Sequence, residues 1–211
     1  MRISKEPAVR REELMDVAER LFKEKGVDAT SVNDIVKNTG VAKGTFYWYF
    51  TSKEALLDAL AERECLQFVN SIQPIVTNNE LNALDKLRLI LEAHGAIGPD
   101  RDAIVAYMHQ AENTLAHQKR LLEEIRLLTP IIGPIIEQGV RENLFRTNHP
   151  HAVAEFMLLS LSFQLNPSTV RVDLDQQLER LHGLQDIIER ALGAETDSLS
   201  FLKALVATEE N

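Results

Sequence analysis

Residues 30–57 read TSVNDIVKNTGVAKGTFYWYFTSKEALL, and this stretch decides the fold. Ser31 opens a short helix. Its hydroxyl can accept from the backbone N–H of Asp34, whose carboxylate can reach back to Ser31, a capping box with Asp in place of Glu. Val32, Ile35 and Val36 give the helix an inward face at spacings of three and four, and Thr39-Gly40 stops it. Gly40 supplies the left-handed backbone that lets the chain reverse within about three residues.

A second short helix is predicted over about 42–49. At about 100° per residue, Ala42, Phe46, Tyr49 and Phe50 fall on one side and should pack inward. Gly44 and Trp48 project opposite, flanked by Thr45 and Tyr47, with Lys43 at the boundary. A buried helix rarely carries such an outward face. Eight residues at about 1.5 Å rise span about 12 Å, the width of a DNA major groove. Thr51-Ser52-Lys53-Glu54 then announces a long helix to about Val76, with Thr51 and Glu54 at capping-box spacing. Two short helices across a glycine turn, followed by a long one, form the helix-turn-helix order of a DNA reader.

Upstream, Leu14, Val17, Ala18, Leu21 and Phe22 make the inward face of a helix over about 8–25, with Gly26 just past its end. Its pattern, LMDVAERLFKEKGVDAT, together with the quoted stretch, resembles the N-terminal domain of the tetracycline-repressor (TetR) family of bacterial transcriptional regulators. The resemblance is close over residues 12–60 and rests on the glycine turn, the KGTFYWYF helix and the TSKEALL entry together. Ala42 stands where the family commonly has Ser as a helix cap, and Trp48 where His is frequent.

The resemblance implies an all-α protein. An N-terminal three-helix helix-turn-helix DNA-binding domain (1–53) would be joined through a long fourth helix to a helical ligand-binding and dimerisation domain (54–211). It implies a ligand-responsive repressor, a homodimer on palindromic double-stranded DNA released by an unknown small-molecule effector. Residues matching Tyr47, Trp48 and Lys53 mostly touch the sugar-phosphate backbone in the family. Lys43 can donate to a guanine edge or to phosphate, Thr45 can meet a base edge, and Gly44 allows close approach. Thr30 is a further phosphate candidate. Arg10 and Arg11, with Arg2 and Lys5 ahead of them, either follow the DNA or form a solvated basic tail.

The rest of the 211-residue chain reads as helical. Helices are predicted over about 81–96, 100–117, 150–165 and 174–192, with a short one near 199–206. The segment 118–144 is helical in pattern but carries Pro130 and Pro134, so a kink or boundary is expected there. Two apolar seams stand out: Ala152, Phe156, Leu159 and Phe163 on one helix, Leu178, Leu181, Leu184 and Ile188 on the next. By pattern alone they are either intrachain core or a surface for a second copy, and the resemblance favours the dimer. Candidate effector-lining residues are Phe68, Ile72, His94, Tyr107, Met108, Ala111, Asn113 and Phe163, for which plain core packing is the competing reading.

Composition sets further bounds. Residues 1–53 hold ten Lys/Arg against eight Asp/Glu, and residues 54–211 thirteen against twenty-four, giving the net −9 of the whole. The acidic bulk repels DNA, so binding must be local and oriented. The single cysteine, Cys65, reads as a small core residue and excludes an intrachain disulfide. The charged start MRISKEPAVRREE lacks the apolar run of a signal peptide, and no apolar stretch approaches the roughly 20 residues of a membrane span, so a cytoplasmic location is expected. An enzyme is the rival class, since His94, His109 and His117 lie near Glu112 in the chain and His149 near His151. A nucleoid-associated DNA binder without an effector is another. No HExxH, paired CxxC, GxSxG, Walker loop or GxGxxG occurs, and the expectation is no catalytic site, metal or cofactor.

Overall fold

The computed structural model describes residues 6–95, 114–164 and 174–203, and these are helical throughout apart from turns. In chain order the helices are α1 (Pro7–Lys25), α2 (Val32–Thr39), α3 (Lys43–Tyr49), α4 (Lys53–Val76), α5 (Ala83–Gly95), α6 (Thr114–Arg141), α7 (Pro150–Gln164) and α8 (Leu174–Leu192), followed by a 3₁₀ turn (Ser200–Lys203). The chain divides into two compact units. The first is Met1–Glu64 with Pro99–Arg120, the second Cys65–Gly98 with Leu121–Asn211, so both α4 and α6 contribute to each.

In the first unit, Leu14, Met15, Ala18, Leu21 and Phe22 line the buried side of α1 against Ile35 and Val36 of α2, Phe46 of α3, and Leu56, Leu57 and Leu60 of α4. A charged clasp reinforces this packing. Arg63 on α4 donates to Glu12 at 3.1 Å, Asp16 at 2.7 Å and Glu19 at 2.5 Å, three carboxylates spaced along one side of α1. Burial works against the guanidinium's charge, yet its pKa is raised because Asp16, Glu12 and Glu19 surround it.

Local chemistry shifts two predicted helix starts. The α4 cap is Ser52 rather than Thr51, its Oγ accepting from the Ala55 N–H at 3.2 Å. The reason lies one step upstream, where Phe50 is still extended at φ −136°, ψ 118° and the helix begins at Lys53. Asn82 caps α5 by accepting from the Asp85 N–H at 2.9 Å, so that helix starts at Ala83, not near 81.

The second unit packs Phe68 and Ile72 of α4, Leu87 and Ile90 of α5, Leu128, Ile132, Ile135 and Ile136 of α6, Met157 of α7, and Leu184, Ile188 and Leu192 of α8 into one core. The boundary expected near 117 is absent, and of the kink or boundary expected at the prolines the boundary is absent, because α6 runs unbroken from Thr114 to Arg141 through Pro130 and Pro134. Both prolines are exposed and four residues apart. The missing donors therefore fall on the solvent side, where water can serve the carbonyls left over, while the isoleucine face continues unbroken.

The expected dimer seams divide. Ala152, Phe156, Leu159 and Phe163 are exposed on α7, and Leu178 on α8. Leu181, Leu184 and Ile188, however, are buried within the chain, so they are intrachain core and not a surface for a second copy. The outward apolar residue that the α8 pattern concealed is Ile187, half exposed.

One close approach fixes the α6–α7 connection. A Cβ on Gly139 would lie 2.1 Å from the ring of buried Phe145. Gly139→Ala is therefore expected to destabilise the protein by about 1–3 kcal/mol through overpacking, read as a lowered melting temperature with unchanged helicity at 20 °C.

Candidate nucleic-acid interface

The glycine turn is built from α2 outward. The Ser31 hydroxyl donates to Asp34 Oδ2 at 2.7 Å and accepts from the Asp34 N–H at 3.1 Å, while the Ser31 N–H donates to Asp34 Oδ2 at 2.9 Å. Lys25 on α1 adds an ion pair to the same oxygen at 3.0 Å. Hydrogen bonding from Ser31, and then the charge of Lys25, hold the Asp34 carboxyl well below the ordinary carboxylate range. At the other end Gly40 is left-handed, φ 72°, ψ 29°, and no atom crowds the position of a Cβ. Backbone conformation, not space, demands glycine there.

From that turn α3 enters the core through Phe46, 0% exposed, with Phe50 buried behind it and Tyr49 half-buried. Ala42, expected to pack inward, is exposed. It is the N-cap, extended at φ −71°, ψ 149°, and so lies outside the helical phase from which its direction was inferred. The outward face of α3 is as predicted from its phase: Lys43, Gly44, Tyr47 and Trp48 are exposed and Thr45 partly so. The Lys43 ammonium lies 6.0 Å from the Tyr47 ring centroid, which itself meets Phe46 edge-on at 5.4 Å.

The remaining sequence candidates behave differently from one another. Thr30 is fully buried, and its hydroxyl donates to Gly26 O at 2.7 Å, leaving no side chain to offer a phosphate. The carbonyls at the end of α1 need donors, a tertiary demand that the local sequence does not display. Lys53 serves the same loop, its ammonium donating to Val27 O at 3.0 Å and Thr30 O at 3.3 Å. Arg11 stacks its guanidinium 5.3 Å from the Phe50 ring centroid, and Arg10 pairs with Glu13 at 2.7 Å, so these two are structured parts of α1 and not a free tail. Arg2 and Lys5 lie outside the described residues.

In the second unit, Phe68 and Ile72 belong to the core. The His94 ring meets Phe68 edge-on at 5.3 Å, and its Nε2 lies 3.4 Å from Oε1 of Glu124, a buried carboxylate on α6 that the sequence did not single out. Phe163 is exposed on α7, whereas Tyr107, Met108, Ala111 and Asn113 lie outside the described residues, as do His109 and Glu112. Among the described residues no three His, Cys, Asp or Glu side chains are disposed to hold a metal ion, and no helix is long and apolar enough to cross a membrane.

Comparison with known proteins agrees with this geometry. The profile of the bacterial regulatory proteins of the tetR family matches residues 14–60, and that of the tetracyclin repressor-like C-terminal domain matches residues 100–186. The HTH-type transcriptional repressor KstR2 of Mycobacterium tuberculosis is 30% identical over 141 residues, which make up 65% of this chain and 70% of that one. The chain belongs to the tetR family. Among solved structures, RolR in complex with resorcinol matches with a TM-score of 0.66 at 18% identity, covering 95% of this chain and 94% of that one. FadR from Bacillus subtilis in complex with stearoyl-CoA matches at 0.57 and 23%, covering 93% and 98%. At such identities the likeness is one of fold. A tetR-family chain with this helix-turn-helix is a DNA-binding transcriptional regulator.

The Asp34 cap gives this tetR-family reader a defined acid response. Because the folded carboxyl sits below its unfolded value, its contribution is present above about pH 4 and is lost as pH falls through the folded value. Melting temperatures of wild type and Asp34→Asn should differ at pH 6 and converge on acidification well below pH 4. Ser31→Ala should melt a few degrees lower at neutral pH.

Proposed function

We propose that the protein is a homodimeric repressor that holds a palindromic operator through α3 and releases it when a small, largely apolar molecule occupies the helical second unit. Residues 1–53 serve as the DNA-binding part and residues 54–211 as the effector and dimer part, in the cytoplasm. The observation that carries the reading is the outward face of α3. A seven-residue helix buried through Phe46 turns Lys43, Gly44, Tyr47 and Trp48 to solvent on a chain whose remainder is acidic.

Lys43 and Tyr47 are the contacts most exposed to test. Their side chains meet over one side of the helix, the Lys supplying charge and the phenol a hydrogen bond to backbone phosphates. Lys53 keeps its ammonium at the same loop and adds to the positive potential there. In a shift assay with the DNA upstream of its own coding region, Lys43→Ala and Tyr47→Ala should each weaken binding at least tenfold while helicity and dimer mass stay unchanged. Intact affinity in both variants would reject α3 as the reader.

The second unit supports the dimer reading. Phe156, Leu159, Phe163, Leu178 and Ile187 leave a large apolar surface on α7 and α8 that a lone chain exposes to water. A two-fold pairing of these helices covers it and presents two readers to a two-fold site. Phe156→Glu with Leu159→Glu should sediment as a monomer and lose operator retention, since each reader alone has half the contacts. A dimer that survives both substitutions would refute this pairing.

Resorcinol and stearoyl-CoA, the ligands named for the similar RolR and FadR structures, support an effector that is apolar in part. Of the candidates for its contacts, Phe68, Ile72, His94 and Phe163 are described, with Glu124 beside the imidazole.

A further inference from the structure

Trp48 is the most exposed aromatic side chain of the described residues, at 70%, and it sits on the face assigned above to DNA. Its direction is set by Phe46. At about 100° per residue, the residues two before and two after Phe46 stand about 200° from it, nearly opposite, whereas its immediate neighbours stand at about 100°. With Phe46 locked in the core, Gly44 and Trp48 therefore point most directly away from the protein, and Thr45 and Tyr47 point to the sides. On a helix lying in a groove, the outermost residues face the groove floor and the lateral ones face its phosphate walls.

The floor of the major groove offers mostly hydrogen-bonding groups, and its one apolar feature is the C5-methyl of thymine. Indole suits that feature and little else there. It has a single N–H donor and no acceptor, so it cannot form the paired hydrogen bonds that distinguish guanine or adenine. Gly44, one turn before Trp48 on the same face, has nothing within 4 Å of where a Cβ would stand, which lets the helix backbone approach closely. The indole is braced edge-on by Tyr49 at 4.5 Å, so its placement is partly ordered before binding.

Resting on the reading of α3 as the DNA-binding helix, we infer that Trp48 is a specificity-determining residue that reads a thymine methyl in each half-site, not one that only positions the backbone. The pairing of Lys43 with Tyr47 on the flank leaves the phosphate wall to those two side chains.

The test separates base reading from backbone contact. An operator duplex is first enriched by the full-length dimer from a randomised pool, and each thymine is then replaced singly by deoxyuridine, which removes only the methyl. For the wild type, substitution at one thymine per half-site should weaken binding about fourfold. For Trp48→Ala, whose exposed position spares the core, the thymine and uracil duplexes should bind alike. Uracil tolerance at every position, a penalty that persists in Trp48→Ala, or an enriched site without thymine in its half-sites would overturn the inference while leaving α3 as the reader. Failure of the wild type to retain any duplex from the pool would overturn the reading of α3 and this inference with it.

Discussion

The burial of Phe46 is the constraint on which the reader depends. A helix of seven residues is too short to persist alone in water, because nucleation costs more than its few hydrogen bonds return. What holds α3 is one aromatic ring buried in the core that α1, α2 and α4 share, with the Phe50 ring 5.7 Å away closing the end. That single anchor fixes rotation as well as position. Every outward residue then has a direction determined by its distance in sequence from Phe46, so the surface shown to DNA is a consequence of the core. The capped α2 and left-handed Gly40 serve the same end, delivering α3 to the pocket at one angle.

Features that depend on nearest neighbours were legible in the sequence. The Ser31–Asp34 box, the Gly40 turn and Pro150 at the first turn of α7 are all local chemistry, and each stands where the residue types placed it. The direction of Ala42 is misjudged where helical phase is extended into a cap, since an extended backbone does not obey a 100° step, and the α4 cap is misplaced by one residue because Thr51 and Ser52 both offer a hydroxyl at the helix start. Thr30 and Lys53 show a deeper limit. Both carry groups suited to phosphate, but both also donate to carbonyls of the α1–α2 loop, and no periodicity reveals which backbone acceptors the fold leaves open.

The seams on α7 and α8 illustrate a related ambiguity. An apolar stripe states that a face must be covered, not by what. On α7 the exposed stripe and the buried residues Val153, Ala154 and Met157 occupy different sides of a helix that is apolar nearly all round. On α8 the stronger stripe serves the chain's own core, and among the described residues the outward side keeps Leu178 and Ile187 amid charged neighbours. Coordinates were needed to assign each side, because the second helix spends its best hydrophobic positions internally.

Arg63 braces the helix that follows the reader against α1. Exposed ion pairs contribute little, but this guanidinium is largely covered and gathers three carboxylates from successive turns of α1, so α4 cannot slide along α1 without losing several charge-assisted bonds together. The clasp fixes the register of α1 against α4, and the Phe46 anchor fixes the rotation of α3, so the outward face of α3 rests on a framework braced by both packing and charge.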